Sequence, residues 1–230
     1  MSNPLQPESV VQAGNDDIAD LLERNRQWAG RKTQSDPRFF ARLVGQQSPR
    51  YFWVGCSDSR VPATEIVDLD PGEMFVHRNI ANLVPASDTN FNAALLFAVN
   101  VLRVRHVLVV GHYGCGGIRA ARNAVANDAI GSWLAPVRAL YWQHRTALHA
   151  LPDEQAREDR LCELNVIAQV EQVCANAVVE QAWRDGHDLR VHGLIYAIGD
   201  GLLQSVCEPV SRIPVGKAHV RDDDDDENIL

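Results

Sequence analysis

The chain has 230 residues, of which 46% are hydrophobic, 23% charged and 7% aromatic, a balance that excludes disordered and fibrous classes and supplies enough apolar residues for a core without disulfide staples. The formal charge is −8, but six of the 30 acidic residues fall in 222–227, so residues 1–221 set 22 basic against 24 acidic residues and carry a charge near −2. No basic run or face stands out, which argues against a nucleic-acid partner, and the acid-rich end at 221–230 reads as a solvated, disordered tail.

In chain order, the first pattern is Asn15-Asp16-Asp17 followed by Ile18, Leu21, Leu22 and Trp28, a capped amphipathic helix. A second short helix is expected after Pro37 through Phe39, Phe40 and Leu43. These form a helical arm over 1–49 that looks able to clasp a neighbouring subunit. Beyond it, apolar runs that read as buried strands (51–55, 74–77, 106–110 and 189–196, with a last strand at 202–207) alternate with helical stretches at 90–102, 117–126, 133–148 and 152–183. Repeated strand and helix predict an α/β fold, a mostly parallel central sheet flanked by helices, in one domain whose core spans 50–208. No stretch approaches the ~18 apolar residues of a membrane span, and the first 15 residues lack the basic start and apolar middle of a signal peptide. The expectation is a cytoplasmic protein with no membrane partner, in which the odd set Cys56, Cys115, Cys162, Cys174 and Cys207 stays reduced.

In open α/β sheets ligands bind beyond the carboxyl ends of the strands. Two unusual segments fall there: Cys56-Ser57-Asp58-Ser59-Arg60 after the first strand and His112-Tyr113-Gly114-Cys115-Gly116-Gly117 after the third. Thiolate and imidazole are the ligands zinc prefers, and three protein ligands leave the fourth tetrahedral position for water or substrate. Cys56, His112 and Cys115 are the three. Two thiolates neutralise the charge of the ion, so a nearby cation helps, and Arg60 supplies it. Asp58 and Arg60 are close enough in sequence to pair, leaving the carboxylate either to accept a proton or to enter the open position; a structural salt bridge is the plainer reading of such a pair. Cys162 and Cys174 read as helix-packing residues, and Cys207 as packing in the last strand.

These two motifs together resemble the β-class carbonic anhydrases, and the similarity extends to 53–56, 71–73, 75–82, 109–117 and 191–196, covering about residues 50 to 207. The resemblance implies one Zn2+ per chain on Cys56, His112 and Cys115, with Asp58 and Arg60 as a catalytic dyad. The implied reaction is reversible hydration of carbon dioxide to bicarbonate and a proton by zinc-bound hydroxide. Trp53, Arg78 and Tyr196, with Gly55 and Val61 nearby, resemble the non-catalytic bicarbonate pocket of the bacterial type II subgroup. In that subgroup Asp58 would leave Arg60 and ligate zinc at lower pH or with bicarbonate, although Thr64 stands where many relatives carry glutamate. A homodimer or tetramer is also implied. Two further readings use the same residues: a bicarbonate sensor, which the presence of Asp58 and Arg60 disfavours, and a hydrolase of carbonyl sulfide or carbon disulfide. A nucleotide loop at 111–117 fits neither Gly-x-Gly-x-x-Gly nor the lysine-containing phosphate loop.

Overall fold

The computed structural model describes residues 18–45, 47–123 and 128–212; the Asn15 cap and the acid-rich tail lie outside them. The chain divides into two units, Met1–Gln46 and Gln47–Leu230.

The first unit holds α1 (Ile18–Ser35) and α2 (Phe39–Val44). No residue of α1 is buried, and Ile18 and Leu21 stay more than half exposed. The Asp36 carboxylate organises the corner by accepting the Arg38 amide and pairing with Arg42, and these partners hold its carboxyl below the usual carboxylate range. Trp28 and Phe39 both pack edge-on against Phe40.

The second unit is built on five strands: β1 (Tyr51–Cys56), β2 (Met74–Asn79), β3 (His106–His112), β4 (Arg190–Ala197) and β5 (Leu202–Ser205). Their order is β2-β1-β3-β4-β5, with every pairing parallel except β4 with β5. This is the expected α/β sheet with one antiparallel edge. In β1 five of six residues are buried, as a strand covered on both faces requires. One face carries Phe52, Val54, Val107, Val109, Val191 and Ile195 into the main core; the other gathers Trp53, Val110 and Tyr196 with Val61 and Ala63.

The helices are α3 (Thr89–Leu96), α4 (Gly116–Asn123), α5 (Ala129–Trp133), α6 (Ala135–Gln143), α7 (Arg145–His149), α8 (Glu154–Cys174) and α9 (Ala177–Arg184). Three expected helices are shorter than their patterns. The stretch 152–183 breaks at Asn176, whose side chain accepts the Val178 amide and starts α9 anew. The stretch 133–148 is interrupted at Leu134 and again at His144, neither of which keeps helical dihedrals. The stretch 90–102 changes after Leu96 to a wider turn, Phe97–Val101, in which the Leu102 amide reaches the Phe97 carbonyl. Cys207 lies beyond β5, not in it, with its sulfur packed where a side chain on Gly193 would stand. Cys162 and Cys174 are both buried in the core, as helix packing predicts. The 21-residue α8 lies on β3 and β4, and its buried positions, including Leu161, Cys162, Asn165, Val166, Gln169 and Val170, recur at three and four residues.

Candidate metal centre

β1 and β3 are neighbours, so their carboxyl ends deliver Cys56 and His112 side by side, and the turn after His112 brings back Cys115. The two sulfurs are 3.8 Å apart, and Cys56, His112 and Cys115, all buried, place their donor atoms within 4.8 Å of one another. Two zinc–sulfur bonds of ~2.3 Å at a tetrahedral angle put the sulfurs about 3.8 Å apart, so the cradle has the dimensions of the ion. The imidazole is presented correctly for it. Nδ1 of His112 faces the Tyr113 carbonyl at 3.0 Å, whereas Nε2 is buried without a hydrogen-bond partner. Bonding at Nδ1 fixes the tautomer that leaves the Nε2 lone pair free for a metal.

The thiols behave as a pair. Cys115 donates to Cys56 and lowers it, against the cost of burial, and His112 and the backbone amides of Asp58 and Ala81 lower it further. The proton is held correspondingly tightly on Cys115. A divalent cation held by Cys56, His112 and Cys115 would supply the positive charge that two buried thiolates require.

Arg60 closes on Asp58 in a fork, Nε to Oδ1 at 3.0 Å and Nη2 to Oδ2 at 2.7 Å, while its amide also reaches Oδ1 at 2.9 Å. The guanidinium holds the carboxyl down at about 2, so Asp58 is a carboxylate at neutral pH. Oδ2 stands 3.8 Å from His112 Nε2, at the mouth of the cradle. Arg60 Nη2 also lies 3.5 Å from the Gly114 carbonyl, linking the two loops.

Strand register puts Trp53, Gly55, Arg78, Val110 and Tyr196 on one face of the sheet: Gly55 pairs with Arg78 and Val110, and Tyr196 with His112. The Trp53 indole lies over Gly55 so closely that a Cβ there would meet Nε1 at 2.1 Å, and this buried N–H has no acceptor among the described residues. Arg78 donates from Nε to the Cys56 carbonyl at 2.8 Å and from Nη2 to the Asp58 carbonyl at 2.6 Å. The sequence motif therefore understates Arg78, which braces the loop carrying Cys56 and Asp58.

Sequence reasoning also missed the support from α8. The Tyr113 hydroxyl donates to Glu163 at 2.8 Å, which Arg160 contacts at 2.7 Å; burial first, then the Glu163 carboxylate, pushes the phenol up to about 12. Glu163 lies 50 residues from Tyr113, and only the fold brings them together.

Comparison with known proteins gives a consistent result. Residues 51–203 match the family model described as carbonic anhydrase. A carbonic anhydrase of Emericella nidulans is 41% identical over 206 residues, covering 90% of each chain. The Coccomyxa β-carbonic anhydrase solved with acetazolamide superposes with a TM-score of 0.82 at 38% identity, covering 86% of this chain and 90% of that one. One of two tetrameric β-carbonic anhydrases of Sordaria macrospora gives 0.81 at 36% identity, covering 84% and 98%.

Proposed function

Because the chain belongs to the β-class carbonic anhydrase family and is an enzyme of carbon dioxide hydration, we propose that it works as a zinc enzyme on Cys56, His112 and Cys115, with Asp58 and Arg60 as its dyad. The single observation that carries this is the cradle itself: two sulfurs at a tetrahedral edge distance, facing a buried imidazole nitrogen without a partner. Zinc bound there supplies Lewis-acid activation of water for attack on carbon dioxide. Asp58, held ionised by Arg60, would orient such a water by accepting its O–H at Oδ2 and relay its proton outward, and Arg60 keeps the carboxylate aimed at the mouth. Arg78, by fixing the Cys56 and Asp58 carbonyls, keeps ligand and dyad in register.

The finer reading is regulation of the type II kind. The unpartnered Trp53 N–H, the Tyr196 side chain and Arg78 share one face, and a planar oxyanion among them satisfies the indole while competing for the Arg78 guanidinium. Release of the Asp58 carbonyl by Arg78 would free the loop and let Asp58 leave Arg60 for a bound metal. The switch thus runs from bicarbonate through Arg78 to Asp58.

Self-association is proposed as well. β2 is an edge strand, and Val76 on it, Ile80 just after it, Leu96 at the end of α3, and Phe97 and Val101 beyond are exposed apolar residues suited to a second copy. Among the described residues no helix is long and apolar enough to cross a membrane. The five cysteines are all free thiols, in keeping with a reducing, cytoplasmic setting.

The test is stopped-flow carbon dioxide hydration by zinc-loaded protein from about pH 7 to 9. Activity rising with pH at one zinc per chain supports the reading; activity that persists after zinc is stripped, or that is unchanged in Asp58→Ala, overturns it.

A further inference from the structure

Between β2 and α3 the chain makes an unfavourable turn. Ala81 has φ 64° and ψ 24°, and Asn82 follows with φ 48°, so two residues that carry a Cβ sit in the left-handed region where glycine is at ease. Such a conformation persists only where its surroundings impose it. Here three carboxamides do so. Asn79 both accepts the Leu83 amide at 2.8 Å and donates to the Leu83 carbonyl at 2.7 Å. From α8, Asn165 donates to the Ala81 carbonyl at 2.9 Å and Gln169 accepts the Val84 amide at 2.9 Å; Gln169 also donates to Asn165 at 3.2 Å. Asn165 and Gln169 are 1% and 6% exposed, polar residues among the apolar Leu161, Val166, Val170 and Val173 on the buried face of α8.

The turn adjoins both ligand-bearing segments. The Asn79 carbonyl accepts the Ser57 amide at 2.8 Å, and Ala81 is buried in the same core cluster as Cys56. On the other side, a Cβ on Gly117 would meet Ile80 at 2.9 Å and the Ala81 Cβ at 3.1 Å, so the start of α4, directly after Cys115, rests on the same residues.

We propose that Asn165 and Gln169 are positioning residues for the metal centre: by holding the left-handed turn at Ala81 and Asn82, they set the backbone that packs beside Cys56 and Ser57 and supports Cys115. This rests on the zinc reading above. It makes a specific claim that a plain core-packing role does not: the need for Asn165 exists because residue 81 has a Cβ. A glycine at 81 adopts its left-handed φ unaided and lessens the dependence.

The experiment is a cycle of wild type, Ala81→Gly, Asn165→Leu and the double variant. Each is read by zinc affinity in chelator competition and by the thiolate-to-metal absorption of the cobalt(II)-substituted protein. Asn165→Leu is expected to weaken zinc about tenfold and to alter the cobalt band in the wild-type background. In the Ala81→Gly background the same change should cost less than about threefold. Equal losses in both backgrounds, or no loss in either, overturn the proposal. Should Asn165→Leu fail to fold, Asn165→Ala, which removes the donor to the Ala81 carbonyl without burying a charge, goes through the same cycle with the same criteria. Wild-type protein that binds no zinc overturns the metal reading and this proposal with it, whereas stoichiometric zinc without coupling between positions 81 and 165 overturns the positioning role alone.

Discussion

Arg60 and Asp58 form a closed fork, 3.0 and 2.7 Å across, while the outer oxygen of that same carboxylate lies 3.8 Å from His112 Nε2. The carboxylate thus faces two ways, toward a permanent cation and toward the metal cradle, and its direction is set by a bidentate contact that a single ammonium cannot reproduce.

That geometry predicts the order of damage at Arg60. Arg60→Ala should lower the hydration rate by about 100-fold or more, and Arg60→Lys, which keeps the charge but not the fork, should recover only part of it. Stopped-flow kcat at saturating carbon dioxide checks this; a lysine variant equal to wild type would show that charge alone suffices.

Cys56, His112 and Cys115 bury two thiols and an unpartnered imidazole nitrogen within 4.8 Å. Stripping zinc with a chelator should therefore lower Tm by at least about 5 °C, because the ion binds only the folded arrangement. Cys115→Ser should show the lowered Tm before any chelator is added, with no further fall after it. Calorimetry with metal analysis distinguishes the cases.

Trp53 and Arg78 are predicted to separate. Trp53→Phe removes the unpartnered N–H and should raise the bicarbonate concentration for half-inhibition by about tenfold, the discrimination expected from losing one hydrogen bond to an ion. Arg78→Lys should instead lower kcat itself, since Arg78 holds the carbonyls of Cys56 and Asp58. Inhibition unchanged in the Trp53 variant would remove the pocket from the mechanism of regulation.

At the opposite end of the sheet, His106 Nδ1 and His192 Nε2 are 3.0 Å apart, and Tyr51 stacks on His106. Burial depresses both histidines below 6.5; around them Arg50, Arg105 and Arg190 push His106 the same way, with Asp188 opposing. The unfolded chain then binds more protons than the native one below 6.5, so the contribution to stability is whole above 6.5 and lost as pH falls through the depressed native values. Tm of the zinc-free protein should drop on acidification below about pH 6.5, and His192→Gln should flatten that slope. An unchanged slope would place the acid sensitivity elsewhere.

The sequence alone determined the strand pattern, the two segments that carry Cys56 and His112 to Cys115, and the Asp58–Arg60 pair, because each is local: buried strands are short apolar runs, and Asp58 with Arg60, or His112 with Cys115, lie two or three residues apart. Even the pairing of distant Cys56 with Cys115 was legible, since parallel neighbouring strands end on the same side. Helix ends were less so. The breaks at Leu134, His144 and Asn176 depend on caps and dihedrals that an apolar period does not record. What only the tertiary structure decided was the support behind the site. Asn165 and Gln169 look in sequence like ordinary polar positions on a helix, and Arg78 like one donor among three. Their burial against the turn at Ala81 and the carbonyls of Cys56 and Asp58 joins residues 20 to 85 apart. A buried carboxamide or guanidinium is constrained by which backbone groups lack a partner, and that is known only once the chain has closed around them.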